Sequence, residues 1–570
     1  MLPPRPFRHL VRTRRWIRLP PEIWLVIVDV FAARHDLESL FRCALVSRAM
    51  ANAALPKLYG IHEYSGAISG DNLFLSDEKA LKISVDLWRS IIASSIDGKT
   101  LRPYCRWIKT LKLGNLESCL EDLEKTINAA LKTKFFSAPL EEFFIKRGRT
   151  RRHTVVDRKA VVVKVSDSIT TYIHKAATRE NMDVQLTTLE GYQLPAASIK
   201  SWVPKLNLLA SLVLVDGSVL NSSIAQVIRE HCPNFKDLEC YFCQREVIDE
   251  QLAGFFSCLK PNTIQSFTIR SRNSLGGKTF EALNSFHSTS LKRLTLQDLD
   301  RSALLSLPAL SDCVNLEKLI LEGGWGTRTF QWEQEPLSEM KEWFKNCTML
   351  KELDLTVIAK ATEILTEALK HSKARLTSLN LKLVDHKKEF YEILANQTNL
   401  RQLTLKIVDD TTLEATDGRR DAFVNALCNM AHLRELDTNE LFTAEDIGKI
   451  SRSTHVLEEL VLNGDIILDD FIFELSRMKH LRSINIFGPS SLTPYGLKRL
   501  IKEFEKHRRE INKHLHDGLF IWIANQMAEA PFPNFEEALL SDRVRIIFGG
   551  KFEMMYRREP NELQESDFSE

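Results

Sequence analysis

Residues 350–355 read LKELDL, and the spelling returns at 291–296 (LKRLTL), 316–321 (LEKLIL), 376–381 (LTSLNL) and 400–405 (LRQLTL). Apolar side chains hold the first, fourth and sixth places. Looser copies start at Leu209, Phe235, Ile264, Leu433, Leu457 and Leu481; in the copy at Leu433, Thr438 takes the sixth place. The eleven starts lie on average about 27 residues apart, within the ~20–29 of repeats that each supply a short strand and a helical return. Ile108/Leu111/Leu113 and Leu140/Phe143/Ile145 fit the same template, and Leu186/Leu189 fits part of it, so the template allows fourteen units.

One such unit cannot cover its own apolar side chains. Stacked neighbours bury them in a continuous core and pair their strands in a parallel sheet. Each buried Leu contributes roughly 1.5–3 kcal/mol, so a unit offsets the entropy of its ordering only when both neighbours are present. The spelling resembles the leucine-rich repeat, whose fuller form adds Asn or Cys three places after the last leucine. Cys243 stands there in the copy that starts at Phe235, and Cys240 is that copy's third apolar residue. Cys232, Cys313 and Cys347 each precede a copy by three residues. Regular slots read these cysteines as small buried apolar residues and set aside zinc binding by the C-x-x-C at 240–243. Ten scattered cysteines indicate reduced thiols, as in cytoplasm and/or nucleus.

A different kind of sequence leads the chain. Residues 19–59 read LPPEIWLVIVDVFAARHDLESLFRCALVSRAMANAALPKLY. Pro21 suits the first position of a helix, with Ile23, Ile27, Val30 and Phe31 on one face and Trp24, Val28 and Phe31 on the next. Asp36 can cap a second helix, in which Leu37, Leu40, Phe41, Ala44 and Leu45 follow helical spacing. Ser47 can cap a third, which Pro56 ends. Units of roughly 40 residues seldom fold alone, and this one has more apolar surface than its own core can use. Something else should cover the surplus.

The stretch resembles the F-box, with Leu19, Pro20, Glu22, Ile23, Asp36, Leu37, Leu45, Val46, Ser47 and Arg48 at the family's positions. Met50 and Tyr59 replace the family's usual large aromatic and Trp, and the ending at Leu58–Tyr59 resembles the fungal-type form. The resemblance implies docking on a Skp-type adaptor through Leu19, Pro20, Glu22, Ile23, Leu37, Leu40, Leu45 and Val46. Through that adaptor it implies a cullin–RING ubiquitin ligase. The repeats would then hold an unknown protein substrate, with no cofactor and no covalent chemistry in this chain. A rival reading is an interaction scaffold whose F-box-like start merely caps the array, its apolar face buried against residues 107–140.

The expected fold class is α/β: a three-helix F-box followed by a curved leucine-rich-repeat solenoid, parallel strands on the concave side and helices on the convex side. The chain divides into a basic disordered arm (1–17), the F-box (18–60), a helical linker (61–106), the repeats (107–500), a C-terminal cap (501–556) and an acidic disordered tail (557–570). The cap is read as a basic helix over 502–516, an apolar helix around Phe520–Met527 and the segment VRIIFGG. The chain is 44% apolar and 27% charged with net charge +2, which calls for no nucleic acid and no anionic membrane. No apolar run reaches the length of a membrane helix.

On the concave side the polar places of successive repeats give Tyr241, Arg270, Arg293, Asp354, Lys382, Lys406 and Asp437 as candidate substrate contacts. Their alternating signs suit a protein partner. Two long repeats carry insertions at 322–336 and 409–421; the first holds Trp325, Phe330 and Trp332, which serve either as interface anchors or as packing over the edge of the array. The basic block 146–164 (KRGRTRRHTVVDRKAVVVK) reads as a solvated insertion loop in preference to a nuclear localisation signal or phosphate-contacting loop. SLGGKT at 274–279 sits between a strand and a helix, as a phosphate-binding loop would, but Arg272 stands where that motif needs glycine. A nucleotide enzyme using Lys278 is therefore set aside.

Overall fold

In the computed structural model the six-residue spelling becomes a ladder. The structure describes residues 20–64, 77–97, 99–125, 129–149, 154–244, 247–327, 330–371, 374–385, 387–407, 418–464, 469–487, 499, 502–503, 519–524 and 544–549. They form two compact units: residues up to Leu214 with Glu230–Phe235, and Val215–Arg229 with Lys236 onward.

The first unit starts with helices α1 (Pro21–Ala33), α2 (Leu37–Val46) and α3 (Arg48–Gly60). The expected caps are in place. Asp36 Oδ1 accepts the Ser39 N–H at 2.9 Å, and Ser47 Oγ accepts that of Met50 at 3.2 Å. Val28, Leu40 and Ala54 form a small closed core, flanked by Phe31, Ala32, Cys43, Ala44, Ala53, Leu58 and Ile61. Pro56 does not end α3: it lies inside the helix, which runs to Gly60. The lost N–H of Pro56 is outweighed by the packing of the next turn. Tyr59 stacks on Tyr104 with ring centroids 4.7 Å apart, lies 6.2 Å from Trp107, and shares a 2.8 Å hydrogen bond with Ser90 Oγ.

Helix α4 (Asp77–Ser94) is a packed element, with Val85, Trp88, Ile91 and Ile92 buried and Trp88 Nε1 donating to Asn115 Oδ1 at 2.8 Å. Strand β1 (Thr110–Lys112) leads into α5 (Leu113–Lys125) and α6 (Ala129–Phe136). The copy at Leu140 forms no rung of the ladder. Leu140 and Phe143 are buried, but in a helical turn that leads to an antiparallel hairpin, β2 (Lys146–Arg149) with β3 (Thr154–Val156). Helix α7 (Arg158–Glu180) follows, capped by Asp157 and burying Val161, Val162 and Val165. The described part of the block read as an insertion loop is thus two paired strands and a helix start. Strand β4 (Thr188–Gly191) pairs in parallel with β1 and with β5 (Ser211–Asp216), placing Leu189 opposite Leu111 and Leu212.

Among the described residues the second unit carries twelve strands, each parallel to the next: β6 (Asp237–Cys243), β7 (Ser266–Asn273), β8 (Arg293–Leu299), β9 (Lys318–Gly323), β10 (Glu352–Thr356), β11 (Ser378–Val384), β12 (Gln402–Ile407), β13 (Glu435–Phe442), β14 (Glu459–Gly464), β15 (Ser483–Phe487), β16 (Leu519–Ala524) and β17 (Val544–Gly549). Register follows the spelling: Leu353 stands opposite Leu319 and Leu379, and Leu355 opposite Leu321 and Leu381. All six are buried. Large side chains of the helical returns are buried as well, among them Phe255, Phe256, Phe280, Trp343, Tyr391 and Phe423. Thr438, in an apolar slot, is buried with its hydroxyl accepting the Glu440 N–H at 3.1 Å.

The stretch around Phe520, read as an apolar helix, is strand β16. Ile521 and Ile523 stand opposite Ile484 and Ile486, and β17 follows with Ile546 and Phe548 opposite Ile521 and Ile523. The ladder therefore runs past residue 500, where the sequence reading ended it. The basic helix read over 502–516 lies mostly outside the described residues, as do Leu19, the arm at 1–17, the tail at 557–570 and the insertion at 409–417.

Candidate functional site

Helix α1 is apolar almost all round, and one core can take only one of its faces. Val28 points inward. Ile23, Leu25, Val26 and Val30 are left exposed, and α2 adds Phe41, Leu45 and Val46, the last two 70% and 67% accessible. Among the described residues, seven large apolar side chains on two neighbouring helices are thus left exposed, and exposed apolar surface of this extent marks interaction sites. Of the residues the F-box resemblance nominates, Pro20, Glu22, Ile23, Leu45 and Val46 are exposed and Leu37 is half-buried. Leu40 is corrected: at 0% exposure it belongs to the module's own core and can touch no partner. Leu25, Val26, Val30 and Phe41 were not nominated, although the unbroken apolar run WLVIV could have pointed to them. Met50 and Tyr59, where the F-box pattern is bent, are both buried, so these departures fall on internal packing and leave the exposed face as it is.

The polar face of the second unit's sheet is largely self-satisfied. Arg270 Nε meets Glu239 Oε1 at 2.6 Å, Arg293 reaches across a strand to Asp237 at 2.9 Å, and Lys318 pairs with Glu352 at 2.7 Å. Lys406 is ion-paired with Asp437. Asp354 accepts hydrogen bonds from Thr356 Oγ1 at 2.8 Å and Asn380 Nδ2 at 2.7 Å. Burial pushes its carboxyl above the usual range, against the pull of those two bonds and of Lys382 and Lys318. Asn380 Oδ1, beside it, is buried with no partner. Tyr241 is the exposed aromatic of this face, with the Arg270 guanidinium 5.6 Å from its ring centre. The nominated residues thus occupy one sheet face, but most of their charge is already neutralised across strands. Trp325 lies in a short helical turn. Its insertion companions Phe330 and Trp332 are buried edge to face, and Trp332 Nε1 donates to Ala359 O at 2.8 Å. They pack over the array.

SLGGKT has the geometry of an anion cradle, already filled. The N–H groups of Gly276, Lys278 and Thr279 converge on the Asp249 carboxylate at 2.9, 3.2 and 2.9 Å. Lys278, which would reach a terminal phosphate, pairs with Glu250. The cysteines keep their repeat slots: Cys240, Cys243, Cys313 and Cys347 are buried, and burial raises the thiols of Cys313 and Cys347 to about 12. Among the described residues no group of three or more His, Cys, Asp or Glu could hold a metal ion, and no helix is long and apolar enough to cross a membrane.

The ladder defines the class of protein, an α/β leucine-rich-repeat solenoid preceded by a three-helix module. No protein-family model and no curated protein matches the sequence. Solved structures with a similar course of chain include the complex of Rad7 and Elc1 in yeast, at 16% identity over 75% of this chain and 97% of that one, with a TM-score of 0.38. The TLR13–ssRNA13 complex follows at 14% identity, 65% and 54% coverage and a TM-score of 0.34. The leucine-rich-repeat-containing protein LegL7 from Legionella pneumophila is 16% identical over 45% and 83%, with a TM-score of 0.29. At such values they carry nothing about activity.

Proposed function

We propose that this chain is the substrate-recognition subunit of a Skp–cullin–F-box type ubiquitin ligase. The observation that carries the reading is the apolar face of α1 and α2, left uncovered while the same helices close a core of their own. In this reading Ile23, Leu45 and Val46, joined by Leu25, Val26, Val30 and Phe41, dock a Skp-type adaptor that bridges to a cullin–RING ligase. The sheet face of the repeats, with Tyr241, Arg270, Arg293, Asp354, Lys382, Lys406 and Asp437, holds a protein substrate. The contribution to ubiquitin transfer is proximity: a held substrate lysine meets the charged conjugating enzyme at a raised effective concentration.

The scaffold reading has one observation in its favour, the docking of α3 through Tyr59 on Tyr104 and Trp107. That contact involves none of the exposed apolar side chains of α1 and α2. The test is a pull-down of purified Skp-type adaptor by the immobilised full chain. Capture by the native chain and its loss in Leu45→Asp/Val46→Asp, with the melting temperature unchanged, supports the ligase reading; equal capture by both overturns it.

A further inference from the structure

Within each six-residue spelling the second place lies outside the core, and the ladder gives that place mostly to cations. Lys236, Lys292, Lys351, Arg401, Arg434 and Arg482 hold it in six of the ten rungs β6–β15. Gln265, Glu317, Thr377 and Glu458 hold it in the rungs between. The backbone lines these residues up. Each amide N–H donates to the carbonyl of the second-place residue one rung earlier, from Gln265 onto Lys236 at 2.8 Å to Arg482 onto Glu458 at 2.6 Å. The row is thus the entry edge of the sheet, one residue ahead of each strand, and it lies wholly within the second unit.

All six cations are exposed, while the two acids are half-buried. Glu317 lies between Lys292 at 3.4 Å and Lys351 at 2.9 Å, and Glu458 between Arg434 at 3.2 Å and Arg482 at 3.6 Å. Each acid is therefore shared by two cations, and Lys236 and Arg401 have no ion pair among the described residues. Six cations against two acids leave the row four charges to the positive. The third place, one residue on, has the opposite balance: Arg293 and Lys318 stand against Asp237, Glu352, Glu435 and Glu459. The excess therefore belongs to the edge row and not to the sheet face beside it. Neither the adaptor face nor the sheet-face residues named above make use of it.

We propose that this entry edge of the ladder is a docking surface for an acidic, extended protein segment. Neighbouring strands lie about 4.8 Å apart, so cations two rungs apart recur every ~10 Å and the ten rungs span about 43 Å. An extended chain advances about 3.3–3.6 Å per residue, so an acid at every third residue keeps step with the cations, and about thirteen residues cover the row. Phosphates follow one another far more closely, at about 3.4 Å of axis along each strand of a duplex. A duplex would therefore set phosphates against Glu317 and Glu458. Two residues before Lys351, Met349 is 52% exposed, an adaptable apolar contact for side chains between the acids. Nothing in this surface depends on the adaptor face.

The test is fluorescence anisotropy of a labelled peptide of about thirteen residues, glutamate at every third place and glycine and serine between, titrated with the full chain. The expected result is saturable binding at about 50 mM salt that weakens at least about fivefold by about 200 mM. The same peptide with glutamine for glutamate should not bind. Arg401→Glu/Arg434→Glu should weaken binding about tenfold or more. Lys388→Glu/Lys449→Glu, the same change of charge on two helical returns, should change it less than about twofold. Arg401→Gln/Arg434→Gln repeats the measurement should the charge reversal fail to fold. Absence of binding at the lower salt, equal binding by the row variants, equal binding of the glutamine peptide, or tighter binding per charge of a mixed-sequence DNA duplex would overturn the proposal.

Discussion

The three-helix module and the repeat ladder dispose of leucine in opposite ways. In the ladder, Leu319, Leu353 and Leu379 stand side by side with at most 2% of their surface exposed, each covered by the rung before and the rung after. In the module the fully closed core is small, Val28, Leu40 and Ala54 with partly buried neighbours packed against them. The ladder turns charges outward and pairs them across strands; the module turns leucine, valine and phenylalanine outward and pairs them with nothing of its own. The contrast teaches where each part keeps its stability. The ladder's apolar residues hold the fold, while seven of the module's large ones are left exposed.

That contrast can be broken most readily with one substitution in each part. Leu353→Ala should cost about 2–5 kcal/mol, because two neighbouring rungs hold the site open as a cavity. Leu45→Ala should leave the unfolding midpoint in urea almost unmoved. Comparable losses at both positions would mean that the module's outer face is structural.

Acid sharpens the comparison next. His287 is fully buried in the ladder, its Nε2 3.1 Å from Phe256 O, and burial lowers its pKa to about 4. Between about 6.5 and 4 the unfolded chain binds a proton that the folded chain refuses. Stability should therefore fall as pH is lowered through that window, by as much as about 3 kcal/mol. His287→Gln should flatten this dependence, read from melting temperatures across the range.

Smaller effects follow from caps and pairs. Ser47→Ala removes the acceptor for the Met50 N–H and should cost about 1 kcal/mol, read as a loss of helical signal from the module. Lys406→Ala, which breaks the ion pair with Asp437 on the sheet face, should cost under about 1 kcal/mol, and less in high salt.

Much of the ladder was legible because its cause is local: a leucine every third and second place has one way to be covered once neighbours repeat it. The failures have local causes as well. Leu140, Phe143 and Ile145 have the right spacing, yet the residues that follow are a basic hairpin that cannot continue a buried strand. FIWIA at 520–524 and VRIIF at 544–548 are too apolar throughout for periodicity to separate strand from helix, and only pairing with Ile484 and Ile486 decides it. At the candidate site, caps and boundaries were readable, but not which face of an all-round apolar helix stays outside. Nor could spacing reveal that Arg293 reaches Asp237 across an intervening strand, or that Asp249 fills the cradle of SLGGKT. Such facts depend on side-chain reach between elements far apart in the chain.

The central claim is that the outer face of α1 and α2 is a docking surface. Calorimetric titration of purified Skp-type adaptor into the full chain tests it most directly. The account predicts saturable one-to-one binding with the negative heat-capacity change of apolar burial, abolished by Leu45→Asp/Val46→Asp in a chain that still melts normally. No heat with the native chain, or the same affinity in the variant, would contradict it.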